Sequence, residues 1–188
     1  MRRFSLIALL AVGLAGCAQL AAPELPPPPA GYRLSHYRAP TPAELPGAQR
    51  VDARQLAARL QTAPRPLLID VLPAGRLTDS DGVSHWLPNE PRRNLPGSVW
   101  LPNVGHGEPE PAMADWFARE LARLSAGNRD APLVFYCLRD CWMSWNAGKR
   151  ALALGYRQVL WFADGSDGWQ EAGLPLEDAA PLPYTPPR

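Results

Sequence analysis

Apolar residues fall in short runs punctuated by proline and glycine, and their spacing changes from run to run. In VDARQLAARL, Leu56 and Leu60 share one helical face, Asp52 stands where an N-cap is needed, and Gln55 completes a capping box. RPLLIDVLP is a continuous apolar run between Pro66 and Pro73, the pattern of a buried strand ending near Asp70 or Val71. PAGRLTDSDGVSHWLPNEPRRN, residues 73–94, has no periodicity and many turn formers, which predicts a long loop, functional or mobile. LPGSVWLPNV places a second short strand around Ser98 to Leu101. From Ala112 to Ser125, Met113, Trp116, Phe117, Leu121 and Leu124 recur at helical spacing and read as core. APLVFYC is a third strand, SWNAGKRALALG a helix closed by Gly155, and QVLWFADG a fourth strand. A helical turn at Trp169 to Ala172 precedes Gly173, and the proline-rich tail from Pro181 reads as loose.

Strands alternating with helices predict an α/β domain with a mostly parallel sheet. In such sheets the working site lies beyond the carboxyl ends of the strands. The segments after Val71, after Leu101 and at Cys137 share that edge. The loop carrying His85 and Trp86, the NVGHG loop with Asn103 and His106, and the cysteine loop are therefore expected to face one another.

The first residues change the picture of where the domain sits. Arg2 and Arg3 precede an apolar stretch, Phe4 to Ala15, too short to span a bilayer comfortably, which closes with Leu14-Ala15-Gly16-Cys17. This resembles a bacterial lipoprotein signal, residues 1–16, after which Cys17 would be lipidated. Residues 17–30 then read as a polyproline tether, 31–50 as an irregular extension, 51–178 as the domain and 179–188 as a tail. The expected location is the bacterial envelope, facing the periplasm, with the outer membrane preferred over the inner. Loss of the leader leaves 17 basic and 18 acidic side chains, a net of −1, so attachment would rest on acyl chains alone. A hydrophobic fraction of 46% and a charged fraction of 20% exclude global disorder, and the formal net charge of +1, without a clustered basic face, argues against nucleic acid as a partner.

Two cysteines remain for chemistry, in VFYCLRDCWMSWNAGKRA. A strand delivers Cys137 to a turn, and a helix is expected from Met143 or Ser144, whose unpaired N–H groups and dipole would lower a thiol pKa. Three readings stay open. Cys137 is a nucleophile with Cys141 as its resolving thiol; the pair is a structural staple, whose small ring stabilises by only about 2 kcal/mol; or Cys137 and Cys141 join His106 or His85 on a metal, a set that nothing in the histidine spacing supports. The first is preferred, with no metal and no cofactor. Its partners would be a sulfur donor or a thiol or disulfide protein. Asp70 is read as bonding loop N–H groups, Trp142 as shielding the loop or packing beneath it, and Ser144, Ala147, Gly148 and Ala151 as the helix face against the sheet.

LLIDV, LPGSVWLP, the strand into Cys137 and WFADGSDGWQEAGLP resemble the rhodanese-like domain in order and spacing, from about Val51 to Glu177. The resemblance implies a single domain, with a sheet of about five strands between helices on both faces. It also implies that Cys137 carries a persulfide taken from a sulfane-sulfur donor. More closely, YCLRDCWMSWNAGKRA is similar to the CXXCW-motif proteins associated with PQQ-dependent alcohol catabolism, but three residues, Leu138, Arg139 and Asp140, separate the cysteines instead of two. No residue identifies a PQQ site, and none is expected. If Ser144 matches the serine that follows the family's loop arginine, that arginine is Met143 here, and the arginine often found after IDV is Leu72. Without an arginine to clamp an oxyanion in two-pronged fashion, phosphatase chemistry is not expected. Arg139 could restore part of the charge, offset by Asp140 beside it.

Overall fold

The computed structural model describes residues 24–186. The expected signal segment and the lipidation site Cys17 lie outside the described residues. In chain order the elements are β1 (Gln49–Arg50), α1 (Ala53–Arg59), β2 (Leu67–Asp70), β3 (Gly75–Thr78), β4 (Ser84–Leu87), β5 (Arg92–Asn94) and β6 (Val99–Trp100). There follow α2 (Pro111–Leu124), β7 (Leu133–Tyr136), α3 (Trp142–Ala153), β8 (Val159–Phe162), α4 (Gly165–Glu171) and β9 (Glu177–Ala179).

Five strands form one parallel sheet in the order β1-β8-β7-β2-β6. Successive residues of β2, β7 and β8 point to opposite faces, and both faces are covered. Ile69, Leu133 and Phe135 pack with Met113, Trp116, Phe117 and Leu121 of α2 and with Met143, Ala147 and Ala151 of α3. Leu68, Val134, Tyr136, Leu160 and Phe162 pack on the other face, with Leu56 of α1 and Trp169 of α4. The expected capping box holds α1 at its start: Asp52 accepts from the Gln55 N–H at 2.8 Å, and the Gln55 side chain accepts from the Asp52 N–H at 3.0 Å. Register matters most for the site. Asp70 pairs with Tyr136 and Trp100, and Tyr136 with Phe162, so the strands end level and Cys137 emerges at the middle of that edge.

Two expectations are corrected. Residues 73–94 are not one loop: β3 and β4 make an antiparallel hairpin, and β5 pairs with β9. Nor is the tail loose over its described residues, 179–186. Pro181 bridges to Trp100, the Leu182 N–H donates to the Trp100 carbonyl at 2.8 Å, and Tyr184 is buried against Trp86 and Trp116. The 31–50 segment is irregular apart from β1 and lies against the domain. Asn146 of α3 both donates to and accepts from the backbone of Arg33, at 2.8 and 2.9 Å.

Candidate active site

Cys137 leaves the end of β7, passes through Leu138, Arg139 and Asp140, and is joined by a disulfide to Cys141, with their Cα atoms 6.1 Å apart. Asp140 adopts a left-handed conformation, φ +53°, which turns the chain back toward α3. The helix begins at Trp142, earlier than expected, so Cys141 is its N-cap and stands closer to the helix start than Cys137 does. Any dipole stabilisation of a thiolate therefore acts first on Cys141. Both sulfur-bearing residues are sealed from solvent, Cys137 at 0% and Cys141 at 2% exposure.

Close backbone packing fixes the loop from two sides. Gly165 has φ +57°, and a Cβ there would strike the Cys137 carbonyl and the Leu138 backbone, so the start of α4 admits glycine only. A Cβ on Gly105 would likewise strike the backbone of Met143. The Ser166 N–H donates to the Cys137 carbonyl at 2.9 Å, and the Ser166 hydroxyl adds a longer bond at 3.4 Å.

Beneath this loop lies a buried ion pair that the sequence pattern did not disclose. Arg92 donates through Nε to Asp70 Oδ2 at 2.8 Å and through Nη1 to the Ser166 hydroxyl at 3.0 Å. A line of polar contacts thus runs from Asp70 through Arg92 and Ser166 to the peptide of Cys137. Asp70 also accepts the Leu72 N–H at 3.0 Å, in the turn that leaves its own strand and not in the cysteine loop, and it is fully buried. Burial raises its pKa and outweighs the opposing pull of Arg92. Arg92 Nη2 has no hydrogen-bond partner among the described residues. Above the pair, Leu72, Pro88, Glu90, Arg92, Trp100 and Leu138 line an open cleft of about 390 Å³ beside the cysteine loop.

The other expected residues separate into near and far. Arg139 supplies no free charge, since both its terminal nitrogens donate to Glu171 at 2.6 Å and its N–H donates to Asp167. Glu171 accordingly holds the Arg139 pKa up, and Arg139 holds the Glu171 carboxyl down. Met143, which would take the arginine position if Ser144 matches the family's serine, is fully buried in the core. Ser144 donates to the Cys141 carbonyl and accepts from Trp161 Nε1 at 3.0 Å, which ties the helix start to β8. Trp142 is buried, with its Nε1 on the Pro40 carbonyl and Arg33 stacked over its ring.

Asn103, left-handed at φ +67°, joins its loop to the exit of β2 by exchanging bonds with the N–H and carbonyl of Ala74. His106 packs edge-on to Tyr37, and burial, with Arg150 nearby, lowers its pKa. This loop is held against α3 by Arg150, which donates to the carbonyls of Val104, His106 and Gly107. His85, expected on a facing loop, instead stands exposed on the hairpin, paired with Asp79 at 3.3 Å. Among the described residues, no three His, Cys, Asp or Glu side chains gather as metal ligands.

A cysteine ending the middle strand of a five-stranded parallel sheet, in a loop that opens a helix, defines an α/β protein of the rhodanese-like class. The sequence model of the rhodanese-like domain matches residues 52–172, and the chain belongs to that family. Solved structures similar to it include the polysulfide-sulfur transferase of Wolinella succinogenes, 19% identical over 72% of this chain and 82% of that one, with a TM-score of 0.45. Thiosulfate sulfurtransferase of Pseudomonas aeruginosa is 17% identical over 75% of this chain and 22% of its own, with a TM-score of 0.48. The 3-mercaptopyruvate sulfotransferase SseA of Escherichia coli is 21% identical over 73% of this chain and 54% of its own, at 0.46. No match is found among curated proteins.

Proposed function

We propose that Cys137 and Cys141 form the working pair of a sulfur-transfer protein. In the reduced state the Cys137 thiolate attacks a sulfane-sulfur donor, takes one sulfur as a persulfide, and releases the donor's remaining portion. The Cys141 thiolate then attacks Cys137 Sγ, forming the disulfide and expelling hydrosulfide. An external dithiol restores both thiols. The observation that carries this reading is the pairing itself: a strand-end cysteine of a rhodanese-like domain joined to a second cysteine at the adjoining helix start. Sulfur transfer is named in several similar structures, which agrees with the reading without assigning a donor.

The enclosure of both sulfurs favours a second reading, a binding module in which the disulfide is a clasp. Mass spectrometry of the reduced protein after exposure to polysulfide separates them. Sulfur transfer predicts an added mass of one sulfur atom that accumulates in Cys141→Ser, is absent in Cys137→Ser, and gives way to the disulfide with release of hydrosulfide in the unsubstituted protein. A protein that never gains sulfur, and whose pair reduces only with unfolding, is the clasp. We further place the protein in the bacterial envelope, facing the periplasm, anchored through lipidated Cys17 and serving PQQ-dependent alcohol oxidation without itself binding PQQ. The signal-like first residues and the loop's similarity to the CXXCW-motif proteins support this placement.

A further inference from the structure

A strap, residues 33–39, lies against the cysteine loop on its outer side and pairs with it through residues 37–39. The Trp142 N–H donates to the Tyr37 carbonyl at 2.9 Å, and the Ala39 N–H donates to the Asp140 carbonyl at 3.0 Å. Arg38 thereby stands opposite Cys141 in an antiparallel bridge, and its guanidinium donates to the Arg139 carbonyl at 2.7 Å. These bonds flank the Arg38–Cys141 pair and none joins it, which makes it the closer kind of antiparallel pair, with Cα atoms about 4.5 Å apart. Facing side chains at such a pair have Cβ atoms about 4.5–5.5 Å apart, and a disulfide needs about 3.5–4.5 Å, so a thiol in place of Arg38 is a small shift from bonding range of Cys141.

Most of the strap lies at the surface. Leu34, Ser35, His36 and Arg38 are exposed, and His36 holds a left-handed φ of +51°. It is held by the backbone bonds already named, by Arg33 on Asn146 and over the Trp142 ring, and by half-buried Tyr37, which packs on His106 and accepts from the Gly107 N–H. Segments with exposed backbone bonds and little apolar burial open ahead of the core.

We propose that the strap occupies the docking groove of a thiol-bearing polypeptide partner. When it lifts, an extended segment of the partner pairs with Asp140 and Trp142 in its place and sets a cysteine opposite Cys141. This rests on the reading of the pair as a thiol-chemistry site, and it names the partner and the direction of approach. The partner's thiol gives its proton to solvent, and its thiolate attacks Cys141 Sγ. The bond to Cys137 breaks, Cys137 leaves as a thiolate and takes up a proton, and the partner is held to Cys141 by a mixed disulfide. No net oxidation or reduction occurs beyond this exchange.

Two variants of the full chain test it. Arg38→Cys should trap the strap: the introduced thiol displaces Cys137 from Cys141, and peptide mapping after alkylation finds Cys137 modified and Cys141 not. Retention of the Cys137–Cys141 bond, with the introduced thiol alkylated, overturns the geometry. Ala39→Pro removes the donor to Asp140. Disulfide opening is then followed with 2-mercaptoethanol, with a cysteine hexapeptide, and with that hexapeptide N-methylated on both residues flanking its cysteine. The variant should react at least 10-fold faster than wild type, and in it the free-backbone peptide should outpace its methylated analogue at least fivefold. Equal rates in variant and wild type mean that the strap is not the cover. Equal rates for the two peptides mean that the groove is no strand seat. A disulfide that none of the three thiols opens in either protein removes the thiol-chemistry reading, and this proposal with it.

Discussion

Arg92 is the guanidinium tied to the Cys137 peptide through Ser166, away from both positions where the resemblance expects an arginine. Neither Met143 nor Leu72 supplies one, and Arg139 is bound to Glu171, so Arg92 is the cation nearest in bonding terms to the Cys137 peptide. With Asp70 it forms a buried pair, 7% and 0% exposed, and removing one member of such a pair strands the other's charge. Arg92→Met should lower unfolding stability by about 3–5 kcal/mol in urea melts. Adding Asp70→Asn, which keeps an acceptor for the Leu72 N–H, should recover part of that loss. Additive losses would mean the two residues act separately. Asp70 was legible because a carboxylate closing an apolar strand stands at the sheet's working edge. Arg92 was not, because RRN has no apolar alternation and two adjacent arginines look alike until β9 pairs with β5 and turns one inward.

At the scale of elements, the pattern succeeded where burial is two-sided or helical and failed where it is not. β2, β7 and β8 show unbroken apolar runs because both faces are covered, and α1 and α2 show their periodicity because one face is. The β3–β4 hairpin leaves Leu77, Val83 and Leu87 exposed and turns Trp86 to the core, so its hydrophobic positions make no pattern and read as loop. The tail was hidden for a related reason: its anchoring side chains, Leu182 and Tyr184, sit among prolines. In the fold Tyr184 fills the space between Trp86 of the hairpin and Trp116 of α2, with ring centroids 5.8 and 5.3 Å away and Arg76 over its face. Tyr184→Ala should therefore cost about 3 kcal/mol, in the range of other buried aromatic truncations. Hydrogen exchange should show β3 and β4 losing protection together. Unchanged stability would mean the tail merely rests on the surface.

For the whole molecule, the question is how far the fold depends on its disulfide. Small domains that cannot bury enough apolar surface lean on cross-links, whereas this one covers both faces of its sheet. The ring closed by Cys137 and Cys141 spans only four residue steps, and loop entropy assigns a ring of that size about 2 kcal/mol. In a domain of this length each kcal/mol moves the melting temperature by about 2–4 °C. Reducing the intact protein should thus lower Tm by about 4–8 °C and leave near-ultraviolet circular dichroism native below the transition. Such a protein can cycle between thiol and disulfide while folded, as sulfur transfer requires. A fall several times larger, with loss of native dichroism on reduction alone, would show that the strap, the cysteine loop and the start of α3 hold their places only while the bond is closed, and the pair would then be a clasp.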